Sequence, residues 1–461
     1  MVSFYPAAVV FLPLALVASK SQKRALLFFL ASVPLFDVTV FTAISHPFNV
    51  PELGIFAILF SLLTNLRNDS TVGFTDRVAL ISAVGFLMIS SLSIILLIVR
   101  PTSILVNPYG YTPDDFILQA VTISFSNITQ LLLRAFFVTS VFVIGLTVDP
   151  DNLEFVTRAV ILGAIFAGFI GVIYQLFAIL QSDLLINFLY WFGGTGRPEG
   201  MGSLGPLPRM ASVTGEPGHT AQYLLYVFAV SATLIATGSY NVFSRETLSG
   251  VLIVIGGLLL LSTSGTAYGG LIIFSGVILV GAISYKPVKI SRLARTVGPF
   301  ALLLVFLAVI LAALDIVPIA DITTQQFRKL TFRSGSGTIR ARYFRLTADV
   351  LRERPFFGLG TGSYYSTSLI GTIVGETGIV GLTAFFALCL GCARPALSHA
   401  VRYRTHHHLS FALVVGITTL VLTSLVAKSI TTLLSPWFWV ALGLPLSLAI
   451  REDQGVSTEV D

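Results

Sequence analysis

Apolar runs long enough to cross a bilayer recur along the whole chain, and no other feature limits its fold so tightly. A hydrocarbon core of about 30 Å needs roughly 17–25 apolar residues per helix. Runs of that kind are read near 3–19, 25–44, 51–65, 78–99, 128–148, 157–180, 219–237, 246–262, 265–285, 297–315, 371–393, 409–427 and 430–450. Each reads as a helix, because a span in lipid must satisfy its own backbone. Composition agrees: 55% of the 461 residues are hydrophobic and 11% are charged, where a soluble domain carries about 25% charge. A soluble enzyme, a disulfide scaffold and a disordered chain are excluded. The expected fold is an all-α polytopic membrane protein of about 12–13 transmembrane helices. Residues 2–19 lack a basic leader and a small-residue cleavage site, so they read as a first span and not as a signal peptide.

Basic residues set the expected orientation. Lys20, Lys23, Arg24, Arg67, Arg77, Arg158, Arg245, Lys286, Lys289, Arg292, Arg295, Arg394, Arg402, Arg404 and Arg451 fall in connections on one side, 15 in all. Arg100, Arg197, Arg209 and Lys428, 4 in all, fall on the other side once the long 316–370 loop is set apart. The positive-inside rule assigns the first side to the cytoplasm, with the amino terminus outside and the carboxyl terminus inside. The division is then 1–180 as amino-terminal helices, 181–218 as an external loop and 219–315 as further helices. A large external loop at 316–370 and carboxyl-terminal helices with a short tail at 371–461 complete it. The pI of 9.3 is accounted for by this topology, so no nucleic-acid partner is expected.

The 316–370 loop carries Arg328, Lys329, Arg333, Arg340, Arg342, Arg345, Arg352 and Arg354 on the side where basic residues are otherwise scarce. Residues 340–354 predict an amphipathic helix stopped by Pro355 and followed by a turn at Gly358, Gly360 and Gly362. Arg342, Arg345, Asp349 and Arg352 recur at spacings of 3, 4 and 3, which places them on one face. Phe344, Ala348 and Leu351 lie on the neighbouring face, suited to a membrane surface. A solvated charged face and an anion site both fit this pattern, arginine being the side chain that grips phosphate in a bidentate way. Asp349, set among arginines, is expected in an ion pair.

Other residues have plainer readings. Cys389 and Cys392 lie in an apolar run and read as small packing residues. His406, His407 and His408 point in different directions and lack further ligands at metal spacing, so an exposed loop is expected. Asp37 and Arg134 fall inside spans, where buried charge is functional or paired, and an Asp37–Arg134 ion pair is the economical expectation. Asp315, Glu376 and Lys428 lie near span ends. Intramembrane charge also leaves open a proton-coupled carrier or a lipid-linked glycan flippase.

Arg340, a large aromatic at Phe344, Pro355, the glycines 358, 360 and 362, and then Glu376, Gly378 and Gly381 resemble the carboxyl-terminal motif of the O-antigen polymerase/ligase superfamily. The segment from Arg209 through Gly215, Pro217 and Ala221 is similar to that superfamily's motif at the start of a span. The resemblance implies a GT-C-like architecture with two long periplasmic loops in a bacterial inner membrane. It implies a donor glycan on undecaprenyl pyrophosphate, a glycan acceptor, membrane lipid as partner, a chain-length regulator protein, and no metal or other cofactor. Arg340 and Arg209 would clamp the pyrophosphate. Arg342, Arg345, Arg197, Gly358, Gly360 and Glu376 would help bind substrate. Glu216 and His219, three residues apart where the loop meets a span, would supply the base, although Glu216 also suits a helix cap. Ligases usually carry His-Asn nine residues before the glutamate, and here those positions hold Thr367 and Ser368. A family-typical Ser-Arg is also missing, since Ser264 precedes Gly265. The resemblance therefore points to a polymerase of lipid-linked repeat units, with the ligase as the alternative.

Overall fold

The computed structural model describes residues 2–296 apart from 36–37, 44–45, 66–75, 107–118, 181–183, 193–202, 205–206, 209, 211–216 and 263. It also describes 298–299, 302, and 335–449 apart from 403–406 and 428–434. The protein is a predominantly helical, multi-pass membrane protein. Among the described residues seven helices are long and apolar enough to cross a bilayer. These are α4 (Arg77–Val99), α5 (Phe125–Thr147), α6 (Leu153–Ile179), α8 (Pro217–Thr237), α10 (Gly265–Ser284), α12 (Leu369–Arg402) and α13 (His407–Ala427). Shorter helices join them: α1 (Ala7–Ala18), α2 (Gln22–Ser32), α3 (Val50–Asn65), α7 (Leu184–Phe192), α9 (Arg245–Leu261), α11 (Gly335–Glu353) and α14 (Pro436–Gly443).

The reading of thirteen full helical spans is corrected in two places. The run expected at 25–44 is helical only through Leu35, and then turns into an antiparallel ribbon of β1 (Val2–Phe4), β2 (Thr39–Ala43) and β3 (His46–Asn49). Pro34 ends the helical run, and Thr39-Val40-Phe41-Thr42 is the β-branched and aromatic sequence that favours a strand. Phe41 stacks on Phe48 with ring centroids 4.8 Å apart. Among its described residues the last run contributes α14 and a 3₁₀ stretch, Leu444–Ala449, buried among the other helices. The expected 297–315 span lies almost entirely outside the described residues.

α8 is the axis of the bundle: every one of its residues from Pro217 to Thr237 is buried. It packs along α13, α9 and α10. Shielding from lipid lets α8 carry Thr220, Gln222, Ser231 and Thr233, which explains its low hydropathy for a span. Gln222 Nε2 donates to Ser424 Oγ of α13 at 2.9 Å. Cys389 and Cys392 are free thiols in the common core, as packing residues.

Basic side chains tie down connections at both ends of the bundle. At one end Arg158 Nε donates to the Val242 carbonyl at 2.8 Å, and Arg292 Nη1 donates to the Thr237 carbonyl at 2.7 Å. Arg394 there lies 3.6 Å from Asp76, the residue that caps α4 by accepting from the Val78 and Ala79 amides. His408 Nδ1 meets Tyr285 Oη at 3.3 Å. The expected exposed histidine loop is thereby corrected: His407 and His408 begin α13 and are half-buried. The opposite end gathers the end of α4, the starts of α5 and α12, and all of α11.

Candidate functional site

The site is built where α12 breaks. Gly378 holds φ +66° and ψ −166°, a conformation open to glycine, and it interrupts the helix after Thr377. The chain just ahead of α12, the turn 355–363, fills the break like a strand. Pro355 and Phe356 carbonyls accept from the amides of Ile379 (2.9 Å) and Val380 (3.3 Å). In return the amides of Leu359 and Gly360 donate to the Gly375 (2.8 Å) and Glu376 (2.9 Å) carbonyls. Backbone groups freed by the break are satisfied by the turn, as a buried break in a membrane helix demands. Gly358 makes the approach possible. Its φ is +61°, and a Cβ there would lie 2.6 Å from the Glu376 backbone.

An ion pair locks this arrangement. Arg134 of α5 and Glu376 of α12 pair through Nη2 and Oε2, with 1% and 0% of their side chains exposed. The other carboxylate oxygen accepts from the Gly362 amide at 2.8 Å. Arg134 Nη1 reaches Thr361 Oγ1 at 3.4 Å. Asn127 Nδ2 donates to the Thr361 carbonyl (2.7 Å) and to Ser363 Oγ (2.6 Å), and the Thr361 amide donates to Ser93 Oγ of α4 at 3.1 Å. Three helices thus hold the glycine turn by its main chain. The expected Asp37–Arg134 pair involves Asp37, which lies outside the described residues; among those described, the acid that Arg134 meets is Glu376, 242 positions away in sequence.

α11 is fastened to the same turn. Its buried face carries Tyr343 and Val350, and Thr347 Oγ1 meets Tyr364 Oη at 2.7 Å. Val350, Leu359 and Tyr364 join Leu97, Val106 and Val121 in a small core of their own. A short ribbon of β4 (Leu105–Val106) and β5 (Gln119–Ala120) lies beside it. Arg354 donates to the carbonyls of Arg100 and Pro101, and Thr102 Oγ1 donates to Glu353 at 2.8 Å. Burial, with Arg100 nearby, lowers the Arg354 guanidinium from its usual value.

The candidate arginines separate by position. Arg342, Arg345 and Arg352 lie on the exposed face, with Asp349 joined to Arg352 at 3.3 Å, the ion pair its neighbours predict. Arg340 precedes Tyr343 and Thr347 by one helical turn or two, at the edge of the buried face, and is half-buried. Burial lowers its basicity, yet an arginine keeps its charge in proteins. A cation with part of its hydration removed interacts more strongly with an anion than a solvated one. Pro355 stops the helix at Glu353, as its sequence requires. Phe344 is 41% and Phe356 64% exposed, both near the apolar edge of this surface.

The other sequence candidates divide cleanly. His219 is buried in the first turn of α8, and the helix starts at Pro217 as expected. Arg197, Arg209 and Glu216 lie outside the described residues. Met210, beside Arg209, is buried against Gly171 of α6. Gly358, Gly360 and Glu376 are brought together, but as the frame of the turn: the carboxylate is enclosed by Arg134 and the Gly362 amide. Ser368, at one of the two positions where ligases carry His-Asn, caps α12 by accepting from the Gly371 amide at 3.1 Å. Among the described residues no three His, Cys, Asp or Glu side chains are grouped as metal ligands. Sequence reasoning missed Asn127, Ser93 and Tyr364, whose polar groups in or beside apolar runs were the available signal. No protein-family model matches the chain, and no curated protein matches it.

Proposed function

We propose that this protein is an inner-membrane glycosyltransferase that joins oligosaccharide repeat units carried on polyprenyl pyrophosphate, acting on the outer face. The observation that supports the reading is the half-buried Arg340 on a helix whose following turn is pinned to three membrane helices. A fixed cation beside the membrane surface suits a reaction whose charge develops on a lipid diphosphate. In that reaction the acceptor hydroxyl attacks the anomeric carbon, and the bond from that carbon to the pyrophosphate oxygen breaks. Arg340, with Arg209 and the exposed Arg342 and Arg345, would stabilise the departing oxygens, a task a divalent cation performs elsewhere. Glu216 or His219 would receive the hydroxyl proton.

The ligase alternative lacks its histidine, and Ser368 is engaged in capping α12. The carrier alternative is weakened because the intramembrane arginine is neutralised by Glu376 and not left to face a path. The test is deletion of the gene, complementation with variants and electrophoresis of surface glycans. Arg340→Ala and Arg209→Ala should each lower chain lengthening by about 10²–10³ at unchanged protein abundance. Polymers of normal length in both variants would refute the clamp. Polymer held on its lipid carrier after deletion would indicate the ligase instead.

A further inference from the structure

A second site lies at the opposite end of the molecule, independent of the proposed reaction. α1 and α3 leave a cavity of about 470 Å³ between them, open on one side. Its walls include Leu12, Leu16, Ser19, Phe56, Phe60 and Leu63. Leu16 and Leu63 are 69% and 66% exposed, so the slot opens outward toward lipid. The volume falls within the roughly 300–1,000 Å³ of ligand pockets.

Charge gathers in the chain that follows the Ser19 end of the slot. Ser19 ends α1, and Lys20, Lys23 and Arg24 follow it, all exposed. The same segment begins α2, whose Ser21 makes no side-chain cap bond, so the first-turn amides add partial positive charge there. The ribbon marks which end this is. Val38 and Val40 belong to the small core against which Ile170 packs, whereas Pro34 lies against Gly163, about two helical turns nearer the start of α6. α2 therefore begins at the end that carries Arg158, Arg292 and Arg394, the face the basic residues assign to the cytoplasm.

We infer that this slot binds one anionic glycerophospholipid of that leaflet. An acyl chain lies between α1 and α3, and the phosphate rests on Lys20, Lys23, Arg24 and the start of α2. Basic pockets between membrane helices on the cytoplasmic side recognise anionic headgroups in this way. The largely apolar wall selects the chain, and the three cations select the headgroup.

The test is native mass spectrometry of the full chain in detergent, titrated separately with palmitoyl-oleoyl phosphatidylglycerol and the matching phosphatidylcholine. The wild type should retain one phosphatidylglycerol with at least about tenfold preference, since each basic residue near the headgroup contributes on the order of fivefold. Lys20→Gln/Lys23→Gln/Arg24→Gln should abolish the preference. Orientation should survive it, because 12 of the 15 basic residues on that face remain against 4 in the opposite connections once the long 316–370 loop is set apart, and long loops translocate largely regardless of charge. Ala15→Phe, which fills the slot, should lower retention of both lipids while all three charges stay. Retention equal to wild type in the triple variant would overturn the inference. So would unchanged binding in Ala15→Phe, or preferred retention of undecaprenyl phosphate over phosphatidylglycerol.

Discussion

Replacing Glu376 by glutamine removes one charge from a pair that the bundle encloses almost completely. With the amide oxygen accepting from the Gly362 N–H, the turn keeps that bond, while the amide nitrogen faces Arg134 Nη2 donor to donor, so the ion pair and its hydrogen bond are both lost. What remains is an arginine, 1% exposed, without its counter-charge. Breaking a buried pair from one side costs about 3–5 kcal/mol, a large share of the 5–15 kcal/mol that holds a typical native state. For a chain of this size, at about 2.1 cal/mol/K of unfolding entropy per residue, that corresponds to a fall of about 3–5 °C in the unfolding midpoint. Fluorescence-detected size exclusion after graded heating in detergent measures it. The double variant Glu376→Gln/Arg134→Met removes both charges and should recover most of the loss, because a neutral filling of similar volume is tolerated where a lone charge is not. A single variant within about 1 °C of wild type, or a double variant no better than the single one, would refute the claim that this pair holds the turn.

Glu216→Gln should slow turnover more than it weakens donor binding; weaker binding at unchanged turnover would make Glu216 a capping residue. Gly358→Ala should reduce the yield of folded protein and abolish chain lengthening. Its Cβ would meet the α12 backbone at a φ that alanine rarely adopts, and normal activity in that variant would disprove the interlock. A chelator added to purified protein should leave polymerisation unchanged, and loss of activity would displace the arginines as the groups that neutralise the leaving group.

The long apolar spans were legible because hydropathy reports a local transfer energy. The helix of 340–354, its stop at Pro355 and the Asp349–Arg352 pair were legible for the same reason: every partner lies within a turn or two. Partnerships across the bundle were not. Arg134 announced itself as a charge in an apolar run, but the choice between Asp37 and Glu376 depends on which helices pack, and no local pattern encodes that. The strand at Thr39–Ala43 was hidden because an apolar run of that length satisfies the same hydropathy rule as a helix. The third connection at the site end, 100–124, was overlooked since its contacts with Arg354 and Glu353 run through main-chain carbonyls and a threonine.

The interlocked break in α12 also restricts how substrates can come and go. Lifting the 355–363 turn would strip partners from Ile379, Val380, Gly375 and Glu376 at once and expose the charges of Arg134 and Glu376 to hydrocarbon. The turn therefore cannot serve as a door. Whatever admits a bulky lipid-linked glycan must swing on some other hinge, while this segment stays still as the jamb.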